Sequence, residues 1–114
     1  MVSTSSTVAT PRATFHSLEV ASIEHLTDDS AAVTFDVSEE LQDVFAFHAG
    51  QSLTLRRVID GAEHRRSYSI CAAVGQRPRI GVREIPDGLF SSWLIHDVRP
   101  GDLIDVQTPT GSFR

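Results

Sequence analysis

From Phe15 onward the chain breaks into short runs of alternating apolar and polar residues, each stopped by a turn-forming cluster, and this punctuation limits the fold more than any other feature. Period-two alternation makes one face of a strand apolar, and several short strands in succession hide those faces only by packing as a sandwich or curling into a barrel. The run His16 to Leu26 carries Leu18, Val20 and, less regularly, Ile23, and stops at Thr27-Asp28-Asp29-Ser30. Ala31 to Val37 follows, with Val33, Phe35 and Val37 on one face, so the two runs read as a hairpin. Ser52 to Ile59 puts Leu53, Leu55 and Arg57 together and ends at Asp60-Gly61, a strong two-residue hairpin signal. His64 to Cys71 is polar on both faces, Arg66, Tyr68 and Ile70 on one and Arg65, Ser67, Ser69 and Cys71 on the other. Ile80 to Ile85 is broken by Pro86-Asp87-Gly88. Asp102 to Thr108 sets Leu103 against Ile104 and Val106.

One segment departs from the strand period. Leu89, Trp93, Leu94 and Val98 recur at helical spacing between Asp87-Gly88 and Pro100-Gly101, which predicts a short helix over 89–98. The expectation is an all-β domain of six strands and one short helix. Residues 1–14, rich in Ser, Thr and Ala and without an apolar period, predict a flexible tail, leaving 15–114 as one domain. A chain of 114 residues suffices for one core.

Several function classes drop out on composition. A net charge of −5 gives no general attraction to nucleic acid or anionic lipid, no run is long enough for a membrane helix, and no basic segment precedes an apolar core at the N-terminus. Neither nucleic acid nor membrane is expected as a partner, and the location expected is the cytoplasm. The single cysteine, Cys71, excludes an internal disulfide and a four-thiolate iron–sulfur site, and reads as a small buried hydrophobe. His16, His25, His48, His64 and His96 stand apart without ligand spacing, so no metal site is inferred.

Three clusters remain. Phe47-His48-Ala49-Gly50-Gln51 has a glycine where backbone can approach a ligand or simply turn into a strand. Arg66-Ser67-Tyr68-Ser69 sets a guanidinium and a phenol on one strand face with hydroxyls beside them, a combination suited to a ligand that carries both a phosphate and a planar ring. Gly88-Leu89-Phe90-Ser91-Ser92 opens the helix, where free amides and a hydroxyl from Ser91 or Ser92 can hold an anion. Plain N-capping by Asp87 or Ser91 accounts for that segment equally well without a ligand. All ten basic residues are arginine, the side chain best shaped for bidentate phosphate contacts.

Taken in order, the R-x-Y-S of Arg66, Tyr68 and Ser69 and the G-x-x-S of Gly88 and Ser91 resemble the flavin-binding domain of the ferredoxin–NAD(P)H reductase superfamily. The similarity runs over about residues 15 to 114 and includes the approach Phe47 to Gln51 and the closing Pro109 to Phe113. The segment Arg83 to Leu94 is most similar to the reductase components of bacterial multicomponent oxygenases, those of the phenylacetyl-CoA epoxidase type in particular. The resemblance implies a six-stranded antiparallel Greek-key barrel with a capping helix, holding FAD or, less often, FMN. It implies that Arg66 binds the flavin phosphate, Tyr68 packs on the ring or ribityl chain, and Ser69 is the catalytic hydroxyl at the reactive ring nitrogen. Backbone at Val82 and Arg83 would meet the pyrimidine edge, and Gly88, Ser91 and Ser92 the pyrophosphate. Strict alternation sends Ser69 to the face opposite Arg66 and Tyr68, so the flavin must cross the strand's end or the strand must bend.

Relatives of this kind pass electrons from NAD(P)H through the flavin to a [2Fe-2S] centre and on to an oxygenase component. Their nucleotide-binding and iron–sulfur domains have no counterpart in these residues, which carry neither the glycine fingerprint of a dinucleotide fold nor four cysteines. The expectation is therefore a fragment of a longer reductase, inactive alone. The alternative is a non-catalytic β-barrel module that docks a partner through Arg65, Arg66 and Arg83.

Overall fold

The computed structural model describes residues 15–85 and 88–110. The expected tail, Asp87 as a capping residue and the end of the closing segment lie outside these. Six strands occur where the alternation predicts them: β1 (Phe15–Thr27), β2 (Ser30–Asp36), β3 (Ser52–Ile59), β4 (Ala62–Ser69), β5 (Arg79–Arg83) and β6 (Leu103–Gln107). All pair antiparallel in the order β4-β3-β6-β1-β2-β5. The chain thus leaves the β1–β2 hairpin, crosses to build β3–β4, returns to the far edge as β5 and ends between the two hairpins, a Greek-key path. The two edge strands approach each other at one bridge, Ile70 to Ile80, reinforced by the Cys71 N–H donating to the Arg79 carbonyl at 2.7 Å.

The concave face holds the core. Leu18, Val20, Val33, Phe35, Leu53, Leu55, Ile80, Val82, Ile104 and Val106 are buried there, each full burial contributing about 1.5–3 kcal/mol. In β1 the register slips between Val20 and Ser22, so that Ile23 rather than Ser22 lies opposite the buried Val33. This bulge explains the irregular place of Ile23 in the sequence pattern. The β3–β4 loop closes as Asp60-Gly61 promised. Both residues take positive φ, 50° and 82°, as a type I′ turn requires, and the ladder is unbroken from Ile59–Ala62 to Ser52–Ser69.

Two expectations are corrected. The segment after Gly88 is a four-residue α-turn, α1 (Leu89–Ser92), that widens into a π-turn (Trp93–Asp97), with the Val98 N–H donating to the Trp93 carbonyl at 3.1 Å. Phe90, Leu94, Ile95 and Val98 are buried and Leu89 is 63% exposed, so the inward face starts one residue later than the spacing predicts. Cys71 is exposed, because the chain leaves the sheet at Ile70 and the thiol no longer faces the core. The polar insert after β2 contains a 3-10 turn, Glu39–Leu41.

Candidate functional site

β4 lies at the edge of the sheet and none of its residues is buried. It remains a strand because every residue pairs with β3, and the Thr54 and Ser67 hydroxyls add a cross-strand hydrogen bond of 2.7 Å. Residues directly opposite share a face, so the pairs Leu53–Tyr68 and Leu55–Arg66 put Tyr68 and Arg66 on the side of the buried leucines. Ser69 pairs with Ser52 on the other side, at the last rung. The alternation seen in the sequence holds, and Ser69 is exposed where the ladder stops.

Antiparallel pairing at Ile70–Ile80 fixes what faces what along the β4–β5 seam. Moving away from the bridge, β4 runs back through Ser69, Tyr68 and Arg66 while β5 runs on through Gly81, Val82 and Arg83. Here the strands have parted, and β5 has β2 as its ladder neighbour, leaving backbone groups on its other edge for a ligand. Val82 points into the core and Arg83 is exposed. The floor of the seam is α1: the rings of Tyr68 and Phe90 lie 6.4 Å apart, and Phe90 packs edge-on against Trp93 at 5.4 Å. Tyr68 thus meets the start of α1 through Phe90, while Arg66 and Arg83 lie on the two strands that flank this contact and Val82 faces the core.

Arg66 is exposed and donates to the Arg65 carbonyl at 2.7 Å, with no carboxylate partner among the described residues. Arg65, by contrast, is paired with Glu63, and Arg56 with Asp105 at 3.3 Å. Burial pushes the Tyr68 phenol up to about 12, against a smaller downward pull from Arg66, so the ring is neutral at physiological pH. Arg57, one of the residues that sequence reasoning grouped with the core face, stacks over Trp93 at 4.2 Å from the ring centre. A guanidinium on an apolar strand face, opposite a helix with an indole, is the signal that could have found this pair.

The turn into α1 is tightly laced. The Gly88 N–H donates to the Ile85 carbonyl at 2.7 Å, and a Cβ on Gly88 would meet that same oxygen and the Ser91 Oγ at 2.8 Å each. Glycine is needed here for close approach, not for its φ of −85°. The Ser91 hydroxyl is buried, accepts from the Ile85 N–H at 3.0 Å and donates to the Gly88 carbonyl at 3.4 Å, so it is engaged within the chain. Ser92 Oγ donates to Glu84 Oε2 at 2.9 Å, and Glu84 Oε1 pairs with His96 Nε2 at 2.9 Å. Among the described residues no side chain caps the helix, while the amides of Leu89, Phe90 and Ser91 stand in its first turn. Phe47 to Gln51 proves to be a turn: Phe47 is buried, Gly50 has φ 89°, and the His48 N–H donates to Gln51 Oε1 at 2.8 Å.

A strand bearing a guanidinium with no carboxylate partner among the described residues and a neutral phenol, beside a glycine-opened helix, is joined by a direct match: residues 17–114 fit the oxidoreductase FAD-binding domain family. The chain belongs to that family. This FAD-binding domain is 41% identical over 101 residues to one of the subunits of 1,2-phenylacetyl-CoA epoxidase from Escherichia coli (strain K12), covering 88% of the chain but 28% of the relative. It therefore spans little more than a quarter of that protein. A ferredoxin NADP+ reductase from Neisseria gonorrhoeae, solved with bound FAD and NADP, superposes with a TM-score of 0.75 at 22% identity, over 89% of this chain and 40% of that one. Phthalate dioxygenase reductase, described as a modular structure for electron transfer from pyridine nucleotides to [2Fe-2S], superposes with a TM-score of 0.70 at 27% identity, over 88% and 31%.

The chain's own features fit FAD. Arg66 supplies a cation that no carboxylate among the described residues neutralises, Tyr68 an uncharged ring, and Gly88 a place where a β-carbon is excluded. A phosphate, a planar ring system and a close backbone approach are what such a cofactor requires.

Proposed function

We propose that this FAD-binding domain is the flavin-holding module of an NAD(P)H-dependent reductase that serves a multicomponent oxygenase, with nucleotide-binding and [2Fe-2S] domains as its partners. A flavin held there would supply hydride acceptance from reduced nicotinamide and one-electron release to an iron–sulfur acceptor. The observation that carries the reading is the contact of Tyr68 with Phe90 of α1 beyond the Ile70–Ile80 bridge, with Arg66 on the same strand face and without a carboxylate partner among the described residues.

In this reading Arg66 neutralises the phosphates and the amides opening α1 hold them from the other side. The Ser91 hydroxyl keeps Gly88 against Ile85, so Ser91 offers its amide to the phosphates rather than its oxygen. Tyr68 provides the platform for the ring, held in place by Phe90 beneath it. The expected backbone contact falls to Arg83, whose groups lie on the outer edge of β5 and would meet the ring's polar rim, because those of Val82 face Ala31 in the β2 ladder. Ser69, exposed at the last rung of β4, would offer its hydroxyl to the reactive ring nitrogen.

An FAD titration of the chain, followed by the flavin's visible absorbance, tests the reading. Binding that disappears in the Arg66→Ala/Tyr68→Ala double variant is the expected result. A folded chain that stays colourless in excess FAD overturns it, and undiminished binding by the double variant moves the flavin away from β4.

A further inference from the structure

We propose that Glu84, immediately after β5, competes with the cofactor's phosphate for the Ser92 hydroxyl, and that the charge on His96 decides how strongly it competes. The inference rests on the phosphate position given above and adds a control to it.

The Ser92 hydroxyl has one proton, and it is given to Glu84 Oε2 at 2.9 Å. It cannot serve a phosphate at the same time. Hydrogen bonds from His96 first, and from Ser92 next, hold the Glu84 carboxyl below the usual carboxylate range, so it is a fixed negative charge at the entrance of α1. Its backbone is anchored too: the Glu84 N–H donates to the Asp29 carbonyl at 2.7 Å, and the next amide is tied to Ser91. A second anion arriving at this turn must therefore displace Glu84's hold on Ser92 or repel it.

The second oxygen of Glu84 points to His96 Nε2 at 2.9 Å, with the two side chains 31% and 51% exposed. Among the described residues Asp29 in the β1–β2 turn, of like sign, also bears on Glu84. Arg83 precedes Glu84 on β5, and Asp97 and Arg99 flank His96, all three exposed. A protonated imidazole satisfies the carboxylate through a charge-assisted bond and releases Ser92, whereas a neutral imidazole makes a weaker bond and leaves Glu84 dependent on the serine. Phosphate binding then favours charged His96, and by linkage FAD binding takes up protons. Affinity rises as the pH falls.

The test measures FAD affinity between about pH 8 and about pH 5, the interval in which histidines change charge, with calorimetry in two buffers of different ionisation enthalpy to count protons. FAD is the probe because a terminal monophosphate such as that of FMN titrates in the same interval. Wild type should bind about fivefold more tightly at the acid end, the worth of roughly one net hydrogen bond. Glu84→Gln should bind about fivefold more tightly than wild type at pH ~8 with a flat profile, and His96→Gln should lose the pH dependence. A flat wild-type profile without proton uptake, or weaker binding by Glu84→Gln, overturns the proposal. An Arg66→Ala control that loses affinity while keeping the wild-type slope supports both inferences. Failure of the folded wild type to bind FAD at any pH removes the phosphate site itself, a different outcome from a flat profile.

Discussion

β2 and β4 are strands of seven and eight residues in one sheet, and they are built to opposite rules. In β2, Ala31, Val33 and Phe35 have no exposed surface. Their identity is dictated by packing, since any loss of volume leaves a cavity in a close-packed interior. In β4 no residue is buried, and the strand keeps its place by a full ladder to β3. Tyr68 packs only partly against the core, and Arg66 has no carboxylate partner among the described residues; the proposed flavin contact accounts for both on this strand. The contrast separates residues that hold the fold from residues that the fold displays.

The largest break in this comparison should come from Phe35→Ala, expected to cost about 3–5 kcal/mol in denaturant unfolding and to affect FAD only through loss of folded protein. Arg66→Ala should do the reverse. Its unfolding free energy should stay within about 0.5 kcal/mol of wild type, while FAD affinity falls by about 2 kcal/mol, a factor of roughly 30, as read by flavin titration. A large stability loss in Arg66→Ala would erase the distinction between the two strands. Gly88→Ala belongs to both classes, because the new methyl meets the Ile85 carbonyl and Ser91 Oγ. It should lower stability by about 1–2 kcal/mol and weaken FAD binding as well.

Tyr68 sharpens the comparison most gently. It is the single tyrosine of the chain, so phenolate absorbance reports it alone, and half the absorbance change should be reached near pH 12 rather than 10. Because the folded-state value is raised, the stability associated with the buried neutral phenol is complete below the unfolded value of about 10 and is lost as the pH rises towards the folded one. Titration near 10 in the folded protein would place the ring in solvent, away from Phe90.

Much of this was legible in the residues themselves. The alternation of Ile104 and Val106 against Leu103 gave the correct buried face of β6, and Asp60-Gly61 marked a turn whose positive φ angles few other residues accept. Arg66, Tyr68 and Gly88 were visible as an ordered set because a strand and a helix start have fixed periodicities. Other features depend on events that no local period encodes. The bulge at Val20–Ser22 and the π-turn at Trp93–Asp97 each change a register by insertion. The exposure of Cys71 follows from where β4 leaves the sheet. The commitments of Ser91 to Ile85 and of Ser92 to Glu84 arise between an edge strand and a helix, and sequence spacing does not reveal them.

Backbone amide shifts recorded during an FAD titration test the seam most directly. The account predicts the largest changes at Tyr68, Ser69, Val82 and Arg83 and from Gly88 to Ser92. A cavity of about 500 Å³ lies elsewhere, lined by Phe45, Phe47, Val74 and Arg77 among others, and changes concentrated around it, with β4 and the start of α1 unmoved, would contradict the account.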